Sequence, residues 1–393
     1  MSQEKLPGLV CTRCGESYPF GTFLPCRKCG GALLVRYDLE TVSEQLSRSI
    51  LGSRVPRVWK YEELLPLGRG QPVSLGEGGT PLVKLERLSG RLGVKAVHLK
   101  DEGQNPSGSF KDRYATVLVS HAAGLGEGKL YCFSSGNHAA ALSCYCARAG
   151  LTGLAFVYPS SGYLYSKSKM AQSMMYGAKV VTPVRKPSKP EKKRRSDFYA
   201  EAYEKYGWYP AVTQPVNPYL CEGYKTMAYE ISEQLGWKPP DAVVMPTESG
   251  DGLLGLWKGF KEFRELGFIS EMPRIISSQW GGISVGETKY SGHDLSRRAI
   301  EETDGAIAYP SVRDDLAYVK LLAVKEGLLV EAISAGSVAC IPELVEQGVL
   351  DKGDTVVSIA TGSGIKHPEL ADEIAERPVE IEAGTELEAL ARY

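Results

Sequence analysis

Asn105-Pro106-Ser107-Gly108-Ser109-Phe110-Lys111-Asp112-Arg113 places a single lysine between a turn of small residues and a run that reads as helix. An ordinary lysine ammonium is a solvated point charge that holds its proton to about pH 10.4. Flanked by Phe110 and small residues, Lys111 can instead be desolvated, lose its proton more readily and form a Schiff base with a carbonyl compound. The plain alternative is a surface loop ending in a solvated Lys-Asp-Arg run.

Outward from that stretch, β-rich runs alternate with helix-length segments. Strands are expected at residues 96–100, 130–133, 154–158, 179–181, 242–245, 275–278 and 355–359. Helices are expected between them, as at 137–149 and 222–235. This alternation predicts an α/β chain with mostly parallel sheets. Glycine-rich loops follow several of the strands, where open α/β sheets bind their ligands.

Further motifs occur in a fixed order. Glu77-Gly78-Gly79-Thr80-Pro81-Leu82 precedes the lysine stretch, and Ser134-Ser135-Gly136-Asn137-His138 follows it. Then come Asn217-Pro218-Tyr219-Leu220-Cys221-Glu222-Gly223-Tyr224-Lys225-Thr226, Leu256-Trp257-Lys258-Gly259-Phe260 and Thr361-Gly362-Ser363-Gly364-Ile365-Lys366. Together they resemble the fold-type-II pyridoxal-phosphate (PLP) enzymes, and the threonine synthase family most of all, over roughly residues 75–368. The resemblance implies a tryptophan synthase β-like fold, two open α/β domains with PLP in the cleft. Residues 39–113 and 214–393 would form the large domain and 114–213 the small mobile one. A homodimer is usual in the family.

The same resemblance implies roles for individual residues. Lys111 is the Schiff-base lysine and moves protons. Asn137 contacts the 3′-oxygen of PLP, and Thr361 contacts its pyridine nitrogen. The loop Thr247-Glu248-Ser249-Gly250-Asp251-Gly252 cradles the cofactor phosphate with backbone amides and a helix N-terminus. Glu248 and Asp251 depart from the family's glycine- and asparagine-rich loop and are expected to point outward or be neutralised by a base. Ser134, Ser135, Gly136 and His138 surround the substrate carboxylate; the plain reading of that segment is a helix N-cap.

Other departures bear on the substrate. His138 stands where the family has threonine, Gln214-Pro215 where Asn-Ser is usual, Leu220 in place of an arginine and Ser249 in place of an asparagine. Arginine binds anions bidentately and leucine offers them nothing. O-Phosphohomoserine, the threonine synthase substrate, is therefore expected to be used poorly. The readings in play are a PLP lyase or synthase acting at the β or γ carbon of an L-amino acid, literal threonine synthase, a serine/threonine ammonia-lyase, a cysteate synthase-like β-replacement enzyme and a non-catalytic protein that kept the fold.

Four of nine cysteines cluster as Cys11-x-x-Cys14 and Cys26-x-x-Cys29. That spacing reads as a zinc ribbon over residues 9–36, a module within 1–38. A complete Cys₄ set leaves zinc no open position, which makes the metal structural. Cys132, Cys144, Cys146, Cys221 and Cys340 read as buried free thiols.

Composition excludes some classes. With 393 residues, 43% hydrophobic, 24% charged and a net charge of −1, nothing drives the chain toward nucleic acid or membranes. No apolar run reaches eighteen residues and no secretory signal opens the chain, so a cytoplasmic protein is expected. Residues 185–195 hold seven basic residues in a Pro-containing stretch. They read as a solvated loop, or as a collector for an anionic co-substrate.

Overall fold

The computed structural model describes residues 7–67, 70–157, 167–182, 195–279, 293–375 and 378–383. The basic stretch 185–195 lies outside the described residues except for Arg195, which opens the helix Arg195–Tyr206.

Two parallel sheets organise the chain. The larger has six strands in the order Ile307–Ala308, Arg274–Gln279, Ala242–Thr247, Thr355–Ala360, Ala96–Asp101 and Leu82–Lys84. All neighbours are parallel except the edge strand Leu82–Lys84, which is antiparallel. The smaller has four parallel strands, ordered Lys179–Val181, Thr152–Phe156, Lys129–Phe133 and Tyr209–Pro210. The first of its internal strands starts and ends two residues ahead of the 154–158 expected from sequence.

The strand Ala242–Thr247 is buried along its whole length. Its alternate residues serve two cores: Val243 and Met245 pack into the larger one, Ala242 and Val244 into the other. Layers cover both faces of a parallel sheet, which is why this strand reads as an unbroken apolar run. A third, antiparallel sheet of Gly8–Cys11, Ser17–Tyr18 and Leu33–Arg36 packs into the larger core.

Helices fix the lysine stretch in place. The helix Asn137–Ala149 has the expected bounds. The expected helix at 222–235 is two segments, Leu220–Tyr224 and Thr226–Gln234, meeting at Lys225. Gly223 lies against the backbone of the helix Lys111–Gly124; a Cβ there would come within 2.0 Å of the Arg113 carbonyl oxygen.

The solvated reading of Lys111–Arg113 does not hold. Asp112 and Arg113 are both 0% exposed. Arg113 donates from Nε and Nη2 to Glu102 at 2.7 Å and from Nη1 and Nη2 to Glu230 at 2.7 and 2.8 Å. Glu230 also pairs with Lys100 at 2.7 Å. Charges this deep persist only when paired and hydrogen-bonded, and here they anchor the first turn of the lysine helix to two other elements.

Candidate active site

The strands aim their carboxyl ends at one cavity of about 320 Å³. Thr247 ends one central strand of the larger sheet, Thr361 follows the other, and Ser134 follows a strand of the smaller sheet. Lys111, Ser134, Ser135, Gly136, Asn137, His138, Thr247, Glu248, Ser249, Gly250, Asp251, Gly252 and Thr361 all line that cavity. Residues up to 250 positions apart in sequence thus converge where α/β sheets bind ligands.

Lys111 opens the helix Lys111–Gly124. Its Nζ lies 4.3 Å from the centre of the Phe110 ring and 5.4 Å from that of Tyr224. Part of the residue is open to the cavity. Even so, desolvation lowers its pKa below the usual lysine range, and the charges of Asp251, Glu248 and Glu331 only partly oppose that. Burial therefore favours the neutral, nucleophilic amine, while the Phe110 and Tyr224 rings, placed for cation–π contact, favour the ammonium. The Phe110 amide donates to the Thr361 carbonyl at 2.9 Å, tying the lysine loop to the closing loop.

Asn137 is the first residue of its helix. The residue before it, Gly136, makes no side-chain cap, while Ser134 Oγ accepts the Gly136 amide at 3.1 Å. Asn137 Nδ2 donates to Glu331 Oε2 at 2.7 Å, and its Oδ1 is buried without a partner. Thr361 Oγ1 shares a hydrogen bond of 2.9 Å with Ser334 Oγ. His138 stacks on Tyr114 with ring centres 4.5 Å apart. Its Nε2 lies 2.9 Å from the Ala211 carbonyl oxygen, and burial pushes its pKa down to about 3. The ring is therefore neutral, with Nε2 as the donor.

The acidic loop corrects one expectation. Glu248 is exposed, but Asp251 is only 4% exposed and turned inward. The charge of Lys111, which lines the same cavity, partly compensates it. Asp251 Oδ1 accepts the Gln214 amide at 3.0 Å and its Oδ2 the Ser249 hydroxyl at 2.8 Å. Asp251 starts the helix Asp251–Glu265, and a first-turn carboxylate is drawn to free amides and to the positive end of the helix. Burial nevertheless raises its pKa. The Asp251 side chain thus narrows the space beside the loop, while Gly252 leaves its backbone bare: a Cβ there would meet Met245 Cε at 2.5 Å.

Sequence reading missed Glu331. It is 3% exposed, stands immediately before the helix Ala332–Ala339 without a side-chain capping bond, accepts from Asn137 and pairs with Lys169 at 2.6 Å. Gly362 makes room for it, since a Cβ at 362 would sit 2.4 Å from Glu331 Oε2. The available signal was an acid standing immediately before a helix of small residues, Ala332-Ile333-Ser334-Ala335-Gly336.

Cys11, Cys14, Cys26 and Cys29 form a second centre, with all four Sγ atoms within 4.8 Å of one another. Cys11 and Cys29 are 3.4 Å apart, Cys14 and Cys26 3.6 Å. Tetrahedral thiolates about 2.3 Å from zinc stand roughly 3.8 Å apart, so the group fits such an ion with little movement. Each Cys-x-x-Cys bends back on itself, the Gly15 and Gly30 amides donating to the Cys11 and Cys26 carbonyls at 3.0 and 2.8 Å.

A family model described as pyridoxal-phosphate dependent enzyme matches residues 73–362. Threonine synthase of Methanocaldococcus jannaschii is 34% identical over 400 residues, covering 95% of this chain and 96% of its own length. That of Methanosarcina acetivorans is 34% identical over 411 residues, with the same coverage of 95% and 96%. Among solved structures, O-ureido-L-serine synthase superposes with a TM-score of 0.59 at 22% identity, covering 79% of this chain and 96% of that one. A fungal L-serine ammonia-lyase from Rhizomucor miehei gives 0.58 at 19% identity, covering 77% and 100%. Among the described residues no helix is long and apolar enough to cross a membrane.

Proposed function

The chain belongs to the pyridoxal-phosphate dependent enzymes and is threonine synthase-like, with the fold-type-II architecture; from that premise we propose that it eliminates or replaces a group at the β or γ carbon of an L-amino acid. The observation that carries this reading is Lys111, a desolvated amine at the mouth of a helix, facing both Asn137 and Thr361 across one cavity.

The residues present fit the cofactor. Asn137 Oδ1 is a buried polar atom without a partner, and Gly250, Asp251 and Gly252 line the cavity where the helix Asp251–Glu265 begins. Lys111 would hold the carbonyl carbon, the amides of 247–252 the phosphate, Asn137 the ring oxygen and Thr361 the ring nitrogen. Bound PLP supplies a sink for the electron pair released at the substrate α-carbon.

Lys111, whose pKa burial lowers, would take and return the α-proton. The amides after Ser134 receive the substrate carboxylate. Thr361 offers a hydroxyl already shared with Ser334, not an acid, which favours elimination and replacement over transamination. Closure of residues 114–213 over the cavity would exclude water. The four thiolates of the N-terminal module hold structural zinc.

The substrate is a small amino acid, with O-phosphohomoserine used poorly. Leu220 packs in the core, and the Gln214 side chain turns away to the Leu33 carbonyl. His138 is neutral, and Lys169 is engaged by Glu331. Losing two or three charged hydrogen bonds of about 1.5–3 kcal/mol each weakens phosphate binding by several powers of ten. Literal threonine synthase is the second reading, favoured by the 34% identity over 95% of the chain.

Steady-state assays with O-phosphohomoserine, O-phosphoserine, serine and threonine separate the two. The proposal expects turnover of one of the smaller substrates. Threonine released from O-phosphohomoserine at an ordinary micromolar KM would establish the second reading instead.

A further inference from the structure

The Cys₄ module is fastened to the wall of the candidate active site through one buried glutamine. Gln214 is 0% exposed and stands directly behind Thr213, which lines the cavity. Its backbone amide donates to Asp251 Oδ1 at 3.0 Å. Its Nε2 points the other way and donates to the Leu33 carbonyl at 3.0 Å, while its Oε1 accepts the Cys221 amide at 3.2 Å. Leu33 is the register partner of Cys11 in the N-terminal sheet.

Three more bonds join the module to the same segment. The Leu24 amide donates to the Val216 carbonyl at 2.8 Å. The Gly21 amide donates to the Tyr219 hydroxyl at 2.7 Å, and the Tyr37 hydroxyl to Glu222 at 2.9 Å. The order of a small antiparallel sheet of three short strands depends heavily on its metal. Whatever holds the four thiols together also holds Leu33, and Leu33 holds Gln214.

We infer that the metal-loaded module braces the cofactor-phosphate loop, with Gln214 as the positioning residue that carries the coupling from Leu33 to Asp251. The inference rests on the reading of 247–252 as that loop. Loss of the metal then loosens cofactor retention although the thiols do not line the cavity. Gln214 acts through Asp251 and the start of its helix, and takes no part in the chemistry.

The test uses the full-length holoprotein, reconstituted with Zn²⁺ and PLP, beside a Gln214→Met variant of similar volume. Zinc content, the PLP dissociation constant and far-UV circular dichroism are measured before and after chelation. In the wild type, chelation is expected to raise the PLP dissociation constant roughly tenfold with the fold retained, the loss of about one buried hydrogen bond to a charged group. Gln214→Met should show the same rise while still holding zinc, and chelating it should add less than a further twofold.

Unchanged PLP affinity in zinc-free wild type overturns the inference alone. So does wild-type affinity in Gln214→Met, or a full second tenfold loss when that variant is chelated. If chelation unfolds the chain, the zinc-loaded Gln214→Met comparison decides. A wild type that binds no PLP in any state overturns the functional reading as well.

Discussion

Replacing Arg113 with methionine tests how the lysine helix is held. The guanidinium makes contacts of 2.7–3.1 Å to Glu102, Glu230, Thr80 and Thr226, all buried. Hydrogen bonds to charged groups contribute about 1.5–3 kcal/mol each, but such sums are not additive. Removing one partner of a buried ion pair costs about 3–5 kcal/mol, because the other charge is left uncompensated. Here the two carboxylates fare differently. Glu230 keeps Lys100 at 2.7 Å. Glu102 keeps only neutral donors, the Thr80 hydroxyl at 2.7 Å and Asn105 Nδ2 at 2.9 Å. The Arg113→Met chain should therefore lose about 3–5 kcal/mol by urea unfolding, and most of that should trace to Glu102. Adding Glu102→Gln removes the stranded charge and should recover about half of the loss. A single variant that costs under ~1 kcal/mol, or a double variant no better than the single, would refute this account of the network.

Other outcomes follow from packing and burial. Gly223→Ala drives a Cβ to 2.0 Å from the Arg113 carbonyl oxygen; it should cost at least ~2 kcal/mol by urea unfolding and weaken PLP binding, since the displaced turn carries Lys111. Asp315 is 0% exposed, with neither carboxylate oxygen partnered, and burial raises its pKa to about 7 from 3.8. The folded state therefore binds this proton more tightly than the unfolded one. The stability it contributes is full below about pH 4 and is lost as pH rises through about 7. Asp315→Asn should be more stable than wild type at pH 8, by ~2–4 kcal/mol in urea, with the gap closing toward pH 4; a pH-independent difference would contradict that assignment.

The legible parts of this chain are those written in local pattern. Strands buried on both faces, such as Ala242–Thr247, read as unbroken apolar runs. The Cys-x-x-Cys pairs read directly, because their ligand spacing is short-range geometry. The loops lining the cavity were legible by resemblance, and by their place after strands.

What the pattern could not give were partners far away in sequence. Glu331 meets Asn137 across 194 positions, and Arg113 meets Glu230 across 117. A buried Arg and a solvated Arg look alike in one sequence, because the compensating carboxylate is set by tertiary packing alone. Asp251 misled for the same reason. Charge repulsion from a phosphate argued that it points outward, whereas the Gln214 amide, brought in by a loop 37 residues upstream, draws it inward. The edge strands Leu82–Lys84 and Ile307–Ala308 are too short to carry a periodicity.

The absorbance spectrum of the purified protein, beside that of Lys111→Ala, tests the central claim most directly. A visible cofactor band in the wild type, discharged by borohydride onto Lys111 and absent from the folded variant, is the predicted result. A wild type with no such band after incubation with pyridoxal phosphate, or a Lys111→Ala chain with the same band and the same turnover, would contradict it.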